Sequence, residues 1–516
     1  MEPLAGGLGA RASEPDRGGK EQDSLAEPRE AVGAVAEAAA TPRASGSAID
    51  ASSWAALLEP PHTLSAVVVV LGILAPAFST FITATVLPSA IAEIGGVAIY
   101  AWASTAYAVG SILGSAGSSV VVRNAGMRRA FLLAGAAFVA GAGVCGAAPS
   151  MPVLVAGRGL QGLGGGMLIA AAHTMVREVF PEPLWPRMLA AISVAWGIAA
   201  LGGPALGGVL AGLGLWRMAF WAIAPMAAVA ALLTWRILRT VEPRDAHATK
   251  VPLGRLALIC TSVLSIGTIA NTDATAARLA LFAAAVVSIA LMLRLDSAAP
   301  VRLFPSGMLS LRSRIGKGFW MIFLLGMSTT PGGIYVPLFV QVLHDVSPAA
   351  AGYLYAAQSL SWTAATLLSA RVPAARVHWA LVLGPVLTAS GFVGLFLTIG
   401  PGPVLAIAAS LVLIGGGIGT CWAHIGALVL SSGRQDEGAV TASMIPSTQL
   451  FAVALGSALS GVLANAAGLA GGASRPVAAL AGVWLYGSFV VVPLAALVIA
   501  SALPADRNSR PTARQS

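Results

Sequence analysis

The chain has 516 residues, of which 57% are hydrophobic and only 10% are charged. Soluble globular proteins carry charge on about a quarter of their residues, so this composition excludes a soluble fold. The net charge is +9, but the basic residues lie mainly between long apolar runs, which favours a lipid bilayer and not a nucleic acid as the partner.

The first segment, residues 1–60, is rich in Ala, Gly, Glu, Pro and Ser and almost lacks aromatic residues. Such a composition buries too little apolar surface to fold, so we expect a disordered cytoplasmic tail. The first apolar run begins near Leu64, too far along the chain for a cleaved signal peptide. A second, short tail is expected at 504–516.

Apolar runs that are long enough to cross a membrane follow this tail fourteen times. The predicted spans lie near 64–87, 98–121, 129–148, 151–175, 188–212, 216–236, 252–271, 277–294, 318–342, 350–370, 379–399, 403–430, 441–465 and 478–502. The segment at 299–317, between the eighth and ninth spans, is expected to lie at the membrane surface.

The orientation follows from the basic residues of the loops. With the N-terminus inside, the inner loops and the C-terminal tail carry 21 Lys and Arg residues and the outer loops carry 3. Positive loops remain on the cytoplasmic side, so both termini are predicted to be cytoplasmic.

No motif indicates an enzyme. The glycine-rich stretches at 162–167 and 415–420 lie at membrane depth and follow no strand, so they do not fit a nucleotide-binding loop. The three cysteines fall in separate spans without metal-ligand spacing. We therefore expect neither catalytic activity nor a cofactor nor a metal.

The fourth predicted span contains a charge. Arg158 lies about two turns from its outer end, and Gln161 follows three residues later on the same helical face. An arginine at this depth costs at least about 2–3 kcal/mol to insert, so it normally faces a bundle interior or an aqueous cavity. We interpret Arg158 and Gln161 as substrate-pathway residues. The alternative is a structural arginine that backbone carbonyls hold.

Three stretches resemble one family. "GRGLQGLGGG" at 157–166 resembles the Arg-x-x-Gln-Gly motif in the fourth helix of major facilitator superfamily transporters. "GIAALGGPALGGVL" at 197–210 resembles the fifth-helix Gly-Pro-x-x-Gly-Gly motif of its antiporters, and "LWRMAFWAIAP" at 215–225 resembles the following junction in the fourteen-helix drug:proton antiporter branch.

The resemblance implies an all-α major facilitator fold with six-helix bundles at 61–240 and 318–503. Two central extra helices and a surface amphipathic segment would occupy 241–317. It also implies a multi-pass transporter of a bacterial inner membrane that exports small amphipathic compounds by alternating access. The coupling ion would be the proton.

Two segments take their expected roles from this resemblance. The glycine-rich fifth span would form a tight hinge, because lipid keeps even poor helix formers helical; static packing is the alternative. The loop "RNAGMRR" would form a cytoplasmic gate. The hinge residues are Gly197, Gly203, Pro204, Gly207 and Gly208, and the gate residues are Arg123, Gly126, Arg128 and Arg129.

The chain departs from the family pattern in its acids. Ser79 stands where the first helix of the branch usually carries an acid, and Arg123 stands where the loop usually carries Asp. No acid beyond residue 60 lies in the middle of a predicted span, which leaves Glu93, His173 and His424 as candidates for proton coupling. For either histidine, simple packing is the alternative.

A cavity whose central charge is Arg158 is expected to favour neutral or anionic amphiphiles over cations. The other predicted pathway residues are Ser79, Thr83, Gln358 and Gln449, with Trp102, Tyr107, Trp196, Tyr353 and Trp362 as further lining. Two other functions fit the sequence: a dedicated exporter or facilitator of an anionic metabolite or siderophore, and a transport-dead sensor or scaffold that acts through the acidic tail.

Overall fold

The structure is a computed structural model that describes residues 57, 59–60, 62–181, 184–237, 253–269, 271–272, 274–299, 304–434 and 437–503. The two predicted tails lie outside the described residues, apart from Leu57, Glu59 and Pro60. The disorder expected of them therefore stays a prediction.

The described residues form fifteen α-helices and no β-strand. These are α1 His62–Ile94, α2 Trp102–Gly146, α3 Met151–Val179, α4 Trp185–Gly212, α5 Trp216–Ile237, α6 Leu253–Ile269, α7 Thr275–Ser297, α8 Arg314–Ser328, α9 Thr330–His344, α10 Pro348–Ser369, α11 Val377–Thr398, α12 Val404–Ser432, α13 Gly438–Ala466, α14 Arg475–Phe489 and α15 Val491–Ser501. Every predicted span is largely helical, which confirms the all-α fold class.

Twelve helical segments in the described part of the chain are long and apolar enough to cross a membrane. Two predicted spans are not among these twelve. The seventh corresponds to α6, which is a shorter apolar helix, and the tenth corresponds to α10, which has 22 residues. The structure is thus compatible with fourteen spans, although that number stays a prediction.

Three helix boundaries differ from the prediction. The loop expected between the second and third spans is reduced to a sharp reversal inside α2, where Gly126 takes φ 82° and ψ 160°. Glycine reaches this conformation without the penalty of a Cβ atom. The ninth span is broken between α8 and α9 just before Pro331, which has no N–H for the helix ladder. The fourteenth span is broken in the same way at Val490.

Glycines set the packing of the N-terminal helices α1–α5. The two arms of α2 run along α3, and the contacts are so close that a Cβ on Gly162 or Gly164 would overlap backbone atoms of the facing arm. Bare backbone surfaces allow helices in a membrane to approach closely. Similar contacts join Gly415 and Gly419 of α12 to α10 in the C-terminal half.

The central helix α6 contacts both halves of the chain. One apolar cluster joins it to the first arm of α2 and to α13; its members are Ala108, Val109, Ile112, Leu256, Cys260, Val263, Ala454 and Ala458. Arg255 of α6 forms a mostly buried ion pair with Asp296 of α7. The two central helices are therefore joined by a charge pair as well as by apolar packing.

The predicted surface segment forms turns over its described part, 304–313. The backbone N–H of Ser306 donates to Oε2 of Glu437 at 2.8 Å, and its hydroxyl donates to Oε1 at 2.5 Å. The N–H of Phe304 donates to Oδ2 of Asp296 at 3.0 Å. This segment thus connects the end of α7 with the turn before α13. Its position at a membrane surface stays a prediction, as do the predicted domain boundaries.

Candidate substrate site and gate

The side chain of Arg158 lies inside the N-terminal half, between α1, α2 and α3, and is only 3% exposed. One terminal nitrogen, Nη1, donates to the hydroxyl of Ser79 at 2.7 Å and to Oε1 of Gln161 at 2.5 Å. The Nε atom donates to the carbonyl oxygen of Ala103 at 3.3 Å. The structure thus joins Arg158, Gln161 and Ser79, three of the predicted pathway residues.

An aromatic ring covers the guanidinium. The Cζ atom of Arg158 lies 4.1 Å from the ring centroid of Tyr107, a favourable cation–π distance. Tyr107 lies on the first arm of α2, which packs against α3 around Gly162 and Gly165. The close helix contact therefore brings the ring onto the charge.

All of these partners are neutral. The ion pairs that the structure describes are Glu93–Arg217, Arg255–Asp296 and Asp345–Arg475, and none of them includes Arg158. Among the described residues, the Nη2 atom of Arg158 and the buried Nε2 atom of Gln161 donate no hydrogen bond, and Oγ1 of the nearby Thr83 has no partner either. The site is positively charged and keeps unused donors.

A second polar group lies in the C-terminal half, at the break between α8 and α9. Gln358 of α10 is 2% exposed, and its Nε2 atom donates to the carbonyl oxygen of Thr329 at 3.3 Å. Its Oε1 atom and the Oγ1 atom of Thr330 are buried without a partner in the described chain. Gln449 is half-buried on α13, and its Cα lies 3.8 Å from the position of a Cβ on Gly326. Both halves therefore contribute predicted pathway residues.

The two halves contact each other near the end of α1 and the start of α2. The rings of Phe81 and Tyr355 lie 5.4 Å apart, and those of Tyr100 and Tyr335 lie 5.5 Å apart. The Ser457 hydroxyl of α13 donates to the carbonyl oxygen of Ala101 at 3.3 Å. The Nδ2 atom of Asn465 extends this contact by donating to the carbonyl oxygen of Ala98 at 2.6 Å. We call these contacts the gate.

The predicted hinge residues form two interfaces of α4. Gly203 and Gly207 face α1: a Cβ on Gly203 would lie 2.6 Å from the Cβ of Phe81. Gly208 faces α10, where any Cβ would overlap Ala349. Pro204 also meets α10, since its Cβ lies 2.8 Å from the position of a Cβ on Gly352.

The same face of α4 shows where the halves separate. Gly197, Pro204 and Gly208 lie about two turns and one turn apart and so share a face. Pro204 and Gly208 contact α10, whereas a Cβ on Gly197 would meet no atom within 4 Å. A Cβ on Gly212, one turn beyond Gly208, would likewise meet no atom within 4 Å, so the contact of this face with α10 is centred on Pro204 and Gly208.

The candidates for proton coupling lie in three different surroundings. Glu93, at the end of α1, accepts from the indole of Trp216 at 2.7 Å and pairs with Arg217. His173 is exposed. His424 is half-buried on α12, with Nε2 3.1 Å from the carbonyl oxygen of Ser369. None of them contacts Arg158.

The loop 123–129, which was predicted to form a cytoplasmic gate, lies apart from Arg158 and from the gate between the halves. Arg123 and Gly126 belong to the reversal of α2, and Arg129 is exposed. The guanidinium of Arg128 lies 4.1 Å from the ring centroid of Trp235 on α5.

The aromatic residues predicted as lining divide into packed and exposed ones. Trp102 lies 3.0 Å from the position of a Cβ on Gly267, and Trp362 meets Trp422 edge to face with ring centroids 5.1 Å apart. Trp196 and Tyr353 are 37% and 43% exposed. The exposed pair makes no ring stack in the described structure.

Sequence reasoning missed two backbone acceptors of the site, the carbonyl oxygens of Ala103 and Thr329. The first has no signal in the sequence, because any residue supplies a carbonyl group. The second had a signal: the run "TTPGG" at 329–333 interrupts an apolar span with a proline and two glycines. Such interruptions often mark binding sites in transporters.

Comparisons with known proteins agree with this architecture. A probable multidrug-efflux transporter of Mycobacterium tuberculosis is 35% identical over 480 residues, which cover 90% of this chain and 98% of the relative. A POT family transporter in complex with 5-aminolevulinic acid superposes with a TM-score of 0.61 at 14% identity, covering 86% of this chain and 96% of that one.

The human organic anion transporter MFSD10 superposes with a TM-score of 0.57 at 15% identity, covering 86% of this chain and all of that one. At such identities the two solved structures show the fold alone. Residues 69–457 match the Major Facilitator Superfamily. The resemblance to this superfamily is thereby confirmed, and the chain belongs to the Major Facilitator Superfamily of membrane transporters; its place in the fourteen-helix branch stays a prediction.

Proposed function

We propose that this chain exports small amphipathic compounds across a bacterial inner membrane by alternating access. The observation that carries the proposal is that the halves contact each other at the gate and at Gly208 but not at Gly197, from which we infer a cleft that opens toward the start of α4. Buried polar side chains without a described partner lie in both halves, Gln161 in one and Gln358 in the other. The relative from Mycobacterium tuberculosis supports the class of substrate.

The orientation completes the proposal. The excess of basic residues in alternate loops supports cytoplasmic termini and a gate on the outer side. The open cleft then faces the cytoplasm, where an exporter collects its substrate. The first six predicted spans would rock against the last six, with Gly203, Pro204, Gly207 and Gly208 at the moving joint.

Protons are the proposed coupling ion. His424 is the best placed of the three candidates, because it is half-buried on a helix that packs against α10. Glu93 is engaged by Trp216 and Arg217, and His173 is exposed. An imidazole can load and release a proton during a transport cycle.

A second candidate, a dedicated exporter of an anionic metabolite, is favoured by one observation. Arg158 has no acidic partner among the described residues, so the site carries a positive charge that suits an anion.

The test is the accumulation of cationic, neutral and anionic fluorescent compounds in efflux-deficient cells, with and without an uncoupler. We expect the intact chain to lower accumulation, and both the uncoupler and Arg158→Ala to abolish the effect. Export of anions alone would favour the dedicated exporter. If no compound responds, multidrug export is wrong. A variant without residues 2–60 should export like the intact chain, whereas a scaffold would lose its phenotype.

A further inference from the structure

We propose that Arg158 and Gln161 bind the anionic group, a carboxylate or sulfonate, of the exported compound. This inference rests on the proposed function and names the chemistry by which its site recognises a substrate.

The first argument is the unpaired charge. Arg158 is 3% exposed, and its partners in the described chain are a hydroxyl, an amide oxygen, a carbonyl oxygen and an aromatic face. Buried charges in proteins are normally paired, because desolvation without a counterion is costly. A ligand that brings a negative charge would supply the counterion.

The second argument is the set of unused donors. Gln161 is fully buried and accepts from Arg158 through Oε1, so its Nε2 points away from this bond and has no partner in the described structure. The Nη2 atom of Arg158 also donates no described bond. Guanidinium and amide N–H groups donate well to the oxygens of a carboxylate or a sulfonate.

A purely structural role does not explain this arrangement. A structural arginine in a membrane helix is expected to fill its donors with backbone carbonyls. Here one backbone carbonyl, that of Ala103, accepts from Arg158 in the described chain. The buried Nε2 of Gln161 would be an unexplained loss of hydrogen bonding in a static core.

The site also lies beside the contact between the two halves. Ser79 binds Arg158, and the ring of Phe81, two residues later, contacts the ring of Tyr355 of the other half. Thr83, one turn beyond Ser79, has a buried and unpartnered hydroxyl. An amphiphile with its anion at Arg158 could therefore extend its apolar part along α1 toward α10.

The experiment compares two dyes on the purified full-length chain in nanodiscs of zwitterionic lipid, with empty nanodiscs subtracted. 8-Anilinonaphthalene-1-sulfonate carries a sulfonate, and N-phenyl-1-naphthylamine has the same rings without it. Ser79→Asp places a carboxylate next to the guanidinium, and Ser79→Asn is its neutral control. Arg158→Gln removes the charge, and Arg278→Gln removes an exposed charge on α7.

We expect Ser79→Asp and Arg158→Gln to weaken the binding of the sulfonate dye by at least about tenfold, the loss of one charge-assisted hydrogen bond. Binding of the neutral dye should change by less than about twofold, which also reports an intact fold. Arg278→Gln should leave both dyes unaffected, and the neutral Ser79→Asn should weaken the binding of the sulfonate dye less than Ser79→Asp does.

If neither Ser79→Asp nor Arg158→Gln weakens the binding of the sulfonate dye, the inference is overturned. Dye binding needs no ion gradient, so its result is independent of the result of the export assay. Export without an effect of these variants on dye binding refutes the anion site alone. A responsive site in a chain that exports nothing refutes the proposed function alone.

Discussion

The Nε atom of Arg158 donates to the carbonyl oxygen of Ala103 at 3.3 Å, so the buried charge of α3 is bonded to the first turn of α2. Ala101, just before that turn, accepts from Ser457 of the other half. The residue that accepts from Arg158 and the residue that accepts in the gate are thus two positions apart in the sequence. An anion that competes for Arg158 is expected to loosen the same turn that holds the gate.

This coupling predicts the behaviour of Arg158→Met. The variant removes the charge but keeps a long apolar side chain, and no described ion pair is broken, so the fold should lose only the hydrogen bonds to neutral acceptors. Export should fall to the level of cells without the protein. Melting of the purified chain and dye export from cells are the two measurements.

A matched control is Arg278→Gln, which removes an exposed charge and should retain export. Full export by Arg158→Met would show that the charge has no part in transport.

Closure of the gate depends on the missing side chain of Gly208. In Gly208→Val the added atoms overlap Ala349, so α4 and α10 cannot meet and the gate should stay open. Ser457→Cys reports whether the gate is open, because Ser457 is buried in the gate. A membrane-impermeant maleimide added from outside should label it only in the Gly208→Val background, where export should also be lost.

Gly212→Val is the comparison, because a Cβ on Gly212 meets no atom within 4 Å. It should export normally and leave Ser457→Cys unlabelled. The three native cysteines are buried and should add little background. Equal labelling with Gly208 intact and substituted would contradict the role given to this contact.

Two ion pairs should differ strongly in their effect on stability. Asp296 is 5% exposed, pairs with Arg255 and accepts from the N–H of Phe304, so Asp296→Asn breaks a mostly buried ion pair. Breaking such a pair costs about 3–5 kcal/mol. The melting temperature of the purified chain should therefore fall clearly.

The exposed pair of Asp345 and Arg475 provides the contrast. Pairs of this kind contribute about 0–1 kcal/mol, so Asp345→Asn should barely change the melting temperature. Asparagine also tolerates the left-handed backbone of position 345, where φ is 53°. Similar losses in both variants would mean that burial does not decide the strength of the Arg255 pair.

Proton coupling should depend on His424. His424→Asn retains a polar side chain but cannot titrate, so the uncoupler-sensitive part of export should disappear. His173→Asn, on an exposed side chain, should keep it. Substrate-driven pH change in proteoliposomes measures this directly, and an unchanged response in His424→Asn would move the coupling group elsewhere.

Much of the fold could be predicted from the apolar runs and from the polar, glycine and proline residues that separate them. The long spans stood out because a bilayer demands about twenty apolar residues per helix. The breaks before Pro331 and at Val490 were missed because the apolar runs were read as continuous helices despite the prolines at 331 and 493. The reversal at Gly126 was expected as a loop, and the structure reduces it to a single non-helical residue.

The candidate site was predictable in its charge but not in its surroundings. A lone arginine in a span singles itself out by the cost of insertion, and Gln161 follows on the same face. Ser79 and Tyr107 lie on other helices, and their contacts with Arg158 depend on how closely α1, α2 and α3 pack. The position of α6 between α2 and α13 was likewise beyond reach, because composition does not choose a helix's neighbours.

The contact between Gly208 and Ala349 also limits how this sequence can diverge. The two residues belong to different halves and are far apart in the chain, yet they share one space that holds a single methyl group. A larger residue at either position is tolerated only if the other stays small or the helices move apart. Among relatives that keep this gate, the two positions should change together, as one site under a single steric constraint.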